Sequence, residues 1–474
     1  MTALDDALSY ADEHAEDFLE RLKDFARIPG ISAWPSHAAE LQRSAEFTRD
    51  LLAKAGLDNT QLLEFEGAPP YAYGEWLGAE GKPTLLLYAH HDVQPPGEEQ
   101  AWNSPPFEPT ERDGPGGRRL YGRGAADDKA GALVHAAAIE AWLKTEGSLP
   151  CNIKVIIEGE EEVGSTHLAQ CLVAHRELLD ADIMVLTDTL NFAIGHPSLT
   201  YSLRGMVSME VELRTIDHAV HSGMWGGPCI DPLSALCKLL GSLHDDEGCI
   251  AVPGFLDDIR EASDWERERI AQLGYDEAKL REESGLLDGT RLTGESDRSV
   301  LERIWLRPAI SVIALDACPM DLAANKLLPY ARAKLSCRIV PNQEPAQIIE
   351  HLKAHLRAQT PYGAELTIRN AEGVAGWVCV PEGPAFEAAE RALSAAFDHE
   401  VAFIGCGGSI PFVGPFAEAF GGAPAILLGI EDPFTNAHGE NESLHIGDFH
   451  KAIAGNIRLF AELAGVDIDK ADKS

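Results

Sequence analysis

The sequence predicts an α/β fold: a mixed, mostly parallel sheet flanked by helices, with a smaller α+β domain inserted into it. Three observations carry this. Apolar, β-branched runs alternate with stretches of helical periodicity through the first part of the chain. Two of these runs read as buried strands: CNIKVII at 151–157, and PTLLLYAH at 83–90, a central strand covered on both faces. The character changes after Leu203-Arg204-Gly205, where MVSMEVEL alternates like a half-exposed strand. At 474 residues the chain exceeds what one ordinary core holds, so two domains are expected.

Leu4, Leu8, Ala11, Ala15, Phe18, Leu22 and Phe25 recur at helical spacing, predicting one amphipathic helix over 3–28 that ends at Pro29-Gly30. A second helix is expected over 38–55, stopped by Gly56. Strands follow at 59–65 and 71–77, then the central strand 83–90. Residues 94–119, with Pro95, Pro96, Pro105, Pro106, Gly114, Gly116 and Gly117, read as one long functional loop. Helix 129–145, strand 151–157, helix 165–179 and strand 182–187 continue the alternation. Beyond Gly205 come strand 206–213, helix 231–243 and a charged surface region over 244–307. Strands 329–340 and 365–370 then flank helix 344–359. A helix at 384–396, a buried strand at 423–428 and a last helix at 449–463 return to the first domain. The expected division is 1–203 with 381–474 around an insert at 204–380.

Composition excludes several classes. The net charge of −37, from 39 basic and 76 acidic residues, argues against nucleic acid or an anionic membrane as partner. No apolar run approaches the roughly 20 residues of a membrane span. The first residues, MTALDDALSYADEHAED, lack a basic-then-apolar leader pattern. The nine cysteines are scattered without a C-x-x-C pair, so neither a disulfide framework nor a thiolate zinc site is signalled. A cytoplasmic protein is expected.

The chemistry centres on IEGEEEVGS at 157–165. There Glu158, Glu160, Glu161 and Glu162 crowd the end of a buried strand, which is tolerable only facing water or a cation. His90 and Asp92 sit at the carboxyl end of the central strand, where α/β sheets collect ligands. Two apart in a strand, they point the same way, so Asp92 could orient a metal-binding imidazole. His91 points the other way and reads as packing. Asp127 and Asp128 precede a helix, where the ordinary role is a cap and the functional one a carboxylate bridging two cations. Asp188 ends a strand, and His438 lies in the loop NAHGENE. Each alone is unremarkable as a polar strand end or loop residue. Together they supply carboxylate and imidazole donors for a pair of zinc, manganese or cobalt ions.

The order and wording of eight stretches, YAHHDVQP, YGRGAADDK, EGEEEVGS, TYSLRG, HSGMWGG, RIVPNQ, GGSIP and NAHGENE, resemble the co-catalytic di-metal exopeptidase family. That family includes aminoacylase, carboxypeptidase G and acetylornithine deacetylase types. The likeness is greatest to its branch of cytosolic nonspecific dipeptidases and carnosinases. The resemblance implies a hydrolase that cleaves the amide bond of a dipeptide, or of a similar small N-acyl amino acid. Two divalent ions, zinc first, would be held by His90, Asp127, Glu162, Asp188 and His438. Asp127 would bridge them and precede a cis peptide bond. Glu161 would be the general base and Asp92 would clamp His90. The insert would serve as lid and homodimerisation element. His221 would reach a partner's site to stabilise the oxyanion, Arg338 would grip the substrate carboxylate, and Gly408 and Ser409 would add contacts.

The sequence departs from the family pattern at His91, usually small or apolar, and at Gly405-Cys406, where the dipeptidase branch tends to carry Arg-Glu. In ANKLLP either Asn325 or Lys326 could face the substrate. Ser409, in G-G-S-I-P, is not in a nucleophile elbow, and no phosphate-binding loop is present. The alternatives are a deacylase or desuccinylase of the same family and a metal-loaded dimer without turnover.

Overall fold

The computed structural model describes residues 2–408, 410, 413–420 and 422–467. It separates into two compact units. The first runs to Tyr201 and resumes over Val380–Ile404 and from Ile410; the second is Ser202–Cys379 with the short piece from Gly405.

The first unit is built on a mixed sheet. Its strand order is Asp58–Leu63, Tyr71–Trp76, Asn152–Glu158, Thr84–His90, Ile183–Leu190, Ala425–Glu431, Ser198–Leu203. The three pairings between Asn152–Glu158 and Ala425–Glu431 are parallel, while the outer ones are antiparallel. The unbroken apolar strands fall in the middle, where both faces are covered. Leu85 to Ala89 are all fully buried.

The helix Lys129–Glu146 is buried on every side from Lys129 to Trp142. Its run of alanines lets the helices Ala3–Glu13, Ala38–Ala55 and Ile446–Leu463 pack closely around it.

Three expectations need correction. The predicted helix over 3–28 is two, Ala3–Glu13 and Ala15–Ala26. The break is at His14 (φ −107°, ψ 12°), whose ring stacks on Tyr10 and hydrogen-bonds the Tyr10 carbonyl at 2.8 Å. The predicted helix over 165–179 likewise divides into Leu168–Ala174 and Arg176–Leu179, at His175 (φ −116°, ψ 22°). The predicted loop 94–119 contains most of a hairpin, Thr110–Gly114 with Gly117–Tyr121, to which Ser443–His445 adds a third strand. Gly116 and Gly117, both at positive φ, make its turn.

The second unit is an antiparallel sheet in the order Ala309–Asp316, Tyr330–Ile339, Gly205–Arg214, Glu365–Val374. Val207, Met209, Val211 and Leu213 point to one face by strand alternation. They pack there with Leu236 and Leu239 of helix Pro232–Gly241 and Leu352 and Leu356 of helix Pro345–Gln359. The edge strand Ala309–Asp316 is exposed from Ser311 onward, with Val312, Ile313 and Leu315 open to solvent.

Candidate metal centre

Parallel strands place their carboxyl ends on one rim of the first unit. His90 is the last residue of Thr84–His90 and pairs in register with Glu158. Asp188 lies near the end of the neighbouring Ile183–Leu190. Glu161 and Glu162 open the short 3-10 turn after Asn152–Glu158. Asp127 ends the loop before helix Lys129–Glu146, and His438 follows the strand Ala425–Glu431. Residues far apart in the sequence converge because adjacent strands end together.

Their donor atoms form two overlapping groups. His90, Asp127 and Asp188 each offer an atom within 4.8 Å of the others, and so do Asp127, Glu162 and His438. Asp127 Oδ1 lies 3.0 Å from His90 Nε2, and Asp127 Oδ2 lies 3.1 Å from His438 Nε2. His90 Nε2 is 3.8 Å from Asp188 Oδ1, and His438 Nε2 is 3.3 Å from Glu162 Oε2. Two oxygens of one carboxylate thus face two imidazoles, so this carboxylate could serve two cations. The first group is enclosed; the second opens to solvent, the His438 side chain being 61% exposed.

The electrostatics fit cations. Burial and the Asp127 carboxylate push Glu162 up to about 7. Burial and Asp188 raise Glu161 well above the usual carboxylate range, and burial chiefly raises Asp188. Asp127 and Glu162 lift the His438 imidazole to about 11. Burial opposes a charge on His90, but its contacts with Asp127, Asp188 and Asp92 outweigh that and raise it. Without ions, carboxylates this close relieve their repulsion by holding protons or by facing imidazolium; divalent ions relieve it more fully. Imidazole nitrogen with carboxylate oxygen suits zinc, manganese or cobalt.

The supporting contacts are specific. His90 Nδ1 is 3.4 Å from Asp92 Oδ1 and 3.1 Å from the Asp92 carbonyl, which leaves Nε2 toward the donor group. Asp92 also accepts from the backbone N–H of Glu161 at 3.2 Å and of Glu162 at 3.1 Å, fixing the turn that presents both glutamates. Gln94 grips the Glu162 carboxylate through its own N–H and its side-chain amide, at 3.1 and 2.9 Å. Asp127 and Asp128 are joined by a cis peptide bond. Asp128, at the helix N-cap, makes no capping bond. Its Oδ2 instead accepts from the His90 N–H at 3.3 Å. The cap explanation for this acidic pair therefore fails. Gln94 and the buried ion pair Arg123–Glu442 went unassigned, although each stands inside one of the quoted stretches. The usable signal was a polar residue within an otherwise ligand-bearing island.

His91 packs, as its strand parity predicts. It is fully buried, and Nε2 hydrogen-bonds the Pro70 carbonyl at 3.0 Å. Burial pushes its pKa from 6.5 down to about 4. The neutral ring's contribution to stability is therefore complete above about pH 6.5 and is lost as the pH falls through 4. Roughly 3 kcal/mol rides on this one group. Urea unfolding of metal-free His91→Met is expected to show a shallower loss of stability from pH 6.5 to 4 than the wild type. Identical pH dependence in the two proteins would contradict it.

His221, Arg338 and Gly408 belong to the second unit. His221 is exposed, and its Nδ1 accepts from the Gly223 N–H at 3.1 Å. It pairs across two strands with Lys326, while the Asn325 carbonyl accepts from Ser222 N–H at 3.0 Å. Arg338 is half-buried on the strand Tyr330–Ile339. Burial and the nearby Arg338 push the Arg204 guanidinium down to about 10. Cys406, at one of the departures, accepts from Gly408 N–H through its sulfur at 3.3 Å. Ser409 lies outside the described residues.

The model of Peptidase family M20/M25/M40 matches residues 86–462. Cysteinylglycine-S-conjugate dipeptidase of Corynebacterium striatum is 32% identical over 442 residues, 93% of this chain and 94% of that protein. Beta-Ala-His dipeptidase of Rattus norvegicus is 28% identical over 97% of this chain and 96% of its own. The crystal structure of human carnosine dipeptidase 1 superposes with a TM-score of 0.88 at 26% identity, covering 98% of this chain and all of that one. The expected co-catalytic di-metal family and its dipeptidase branch agree with these matches. The chain belongs to peptidase family M20/M25/M40.

Proposed function

We propose that this protein is a dipeptidase in which His90, Asp127, Glu162, Asp188 and His438 hold two divalent ions, zinc first among them. The observation that carries the reading is Asp127, whose two oxygens face two separate ligand groups. The relatives that are themselves dipeptidases support the substrate class. Bound ions supply Lewis acidity for the scissile carbonyl and make water a better nucleophile. Glu161 takes the proton from the attacking water and passes it to the leaving amine. One C–N bond breaks, one C–O bond forms, and Glu161 ends the cycle unprotonated. Asp92 keeps the His90 ring aimed and holds the turn that carries Glu161. His221 stabilises the oxyanion, Arg338 grips the substrate carboxylate, and Gly408 and Ser409 add contacts to the substrate.

The insert at 204–380 serves as lid and dimerisation element, with His221 acting in a partner's site. Its exposed apolar edge strand, with Val312, Ile313 and Leu315, supports an interface between two copies. Cytoplasmic action is supported by nine cysteines that form no disulfide among the described residues. No described helix is long and apolar enough to cross a membrane.

One panel tests the reading. Zinc-loaded enzyme is expected to cleave unblocked dipeptides and to leave N-acetyl and N-succinyl amino acids largely intact. Chelation should remove the activity and zinc restore it. Sedimentation in the same buffer should give twice the 51.2 kDa chain mass. Preference for the N-acyl compounds would transfer the protein to the deacylases, and a monomer with full turnover would remove the partner's role. No cleavage of any amide in the panel would favour a metal-loaded dimer without turnover.

A further inference from the structure

The buried pair Arg123–Glu442 joins three segments that carry the metal centre, and neither residue is itself in a ligand group. Glu442 is fully buried and Arg123 is 1% exposed. Glu442 Oε1 accepts from the backbone N–H of Ala126 at 3.0 Å and of Asp127 at 3.2 Å. Oε2 accepts from Gly124 N–H at 3.1 Å and from Arg123 Nη1 at 2.6 Å. Three amides of the loop ending in Asp127 thus converge on one carboxylate. Arg123 Nη2 donates onward to the carbonyls of Gly439 at 3.0 Å and Pro95 at 3.2 Å. Gly439 follows His438, and Pro95 follows Gln94, which holds Glu162.

An enclosed acid is costly beside the Asp127 carboxylate, and a buried ion pair by itself is weak evidence of stabilisation. What this pair does is geometric. It fixes the backbone of the shared ligand Asp127 relative to the loop of His438 and the start of the loop beyond Asp92. Outer groups that orient metal ligands commonly govern metal affinity by 10–100-fold.

We propose that Glu442, with Arg123, is a positioning residue that pre-forms the two-ion site by locking the Asp127 loop to the His438 loop. This rests on the ligand assignment given under the proposed function. Glutamine at 442 would turn an N–H donor toward either Arg123 and Gly124 or Ala126 and Asp127, so the lock cannot close on both sides.

The test is titration of metal-free protein with Zn²⁺ against a chromophoric chelator, for the wild type, Glu442→Gln and Arg123→Lys. Glu442→Gln is expected to weaken zinc binding about 10–100-fold. Arg123→Lys, which keeps the charge but loses the forked reach to Gly439 and Pro95, is expected to weaken it about tenfold. With saturating zinc, both should lose kcat more than they raise KM. A merely structural role would instead lower the metal-free melting temperature and leave zinc affinity unchanged. Should Glu442→Gln not fold, Arg123→Lys decides alone. Wild-type zinc affinity in the folded variants overturns the proposal while leaving the ligand assignment standing. A wild type that takes up no zinc removes both.

Discussion

Asp127→Ala is expected to leave the protein without either ion and to lower hydrolysis more than about 1,000-fold. Removal of one oxyanion donor alone can cost that much, and here both Lewis acids go. Asp127 is the one residue common to the two ligand groups. Asp188 and Glu162 each serve a single group, so Asp188→Ala and Glu162→Ala are expected to retain one ion apiece. Metal analysis after dialysis should therefore read two ions per chain for the wild type, one for each of these variants and none for Asp127→Ala. The fold should tolerate the change. Alanine keeps the backbone N–H that Glu442 receives, and the substitution takes a negative charge out of a crowded group. Two ions retained by Asp127→Ala would end the bridging assignment.

How much of this was legible depended on whether a signal is local. The central strand could be read from PTLLLYAH because a strand covered on both faces needs no alternation. The helix Lys129–Glu146 was legible for the same reason of composition. The break at His14 was not, because neither glycine nor proline marks it and a ring stacking on Tyr10 decides it. The strand Ser198–Leu203 passed unread because SLTYSL is half polar, yet all six residues are buried between neighbours supplied by distant sequence. The edge strand Ala309–Asp316 has no place in the sequence reading although AISVIALD is apolar and β-branched, because it follows directly on the charged region 244–307 and precedes no helical period. At the metal centre, the ligands were recognisable as acidic and imidazole groups at strand ends. Gln94 and Glu442 were not, since their partners are other residues' carboxylates and amides, fixed only once the loops meet.

Glu161→Gln is expected to keep two ions and to lose about 10²–10⁴-fold in kcat, the usual contribution of a positioned general base. Glu161 belongs to neither ligand group, although it adjoins Glu162, so a neutral isostere should not disturb metal content. Its N–H to Asp92 Oδ1, at 3.2 Å, survives the substitution and holds the turn in place. What glutamine lacks is a carboxylate able to accept a proton from water and return it to the departing amine. Because the loss falls on proton transfer, KM should change little and the acid limb of the pH–rate profile should disappear with the group that titrates it. Glu162→Gln, one residue along, makes the contrast. It acts on a ligand, so its activity loss should come with weakened metal binding. The pair of measurements therefore separates proton transfer from metal holding at adjacent positions. Turnover by Glu161→Gln within tenfold of the wild type would require another group to move the proton, and the di-metal hydrolysis argued from this site would need a different base.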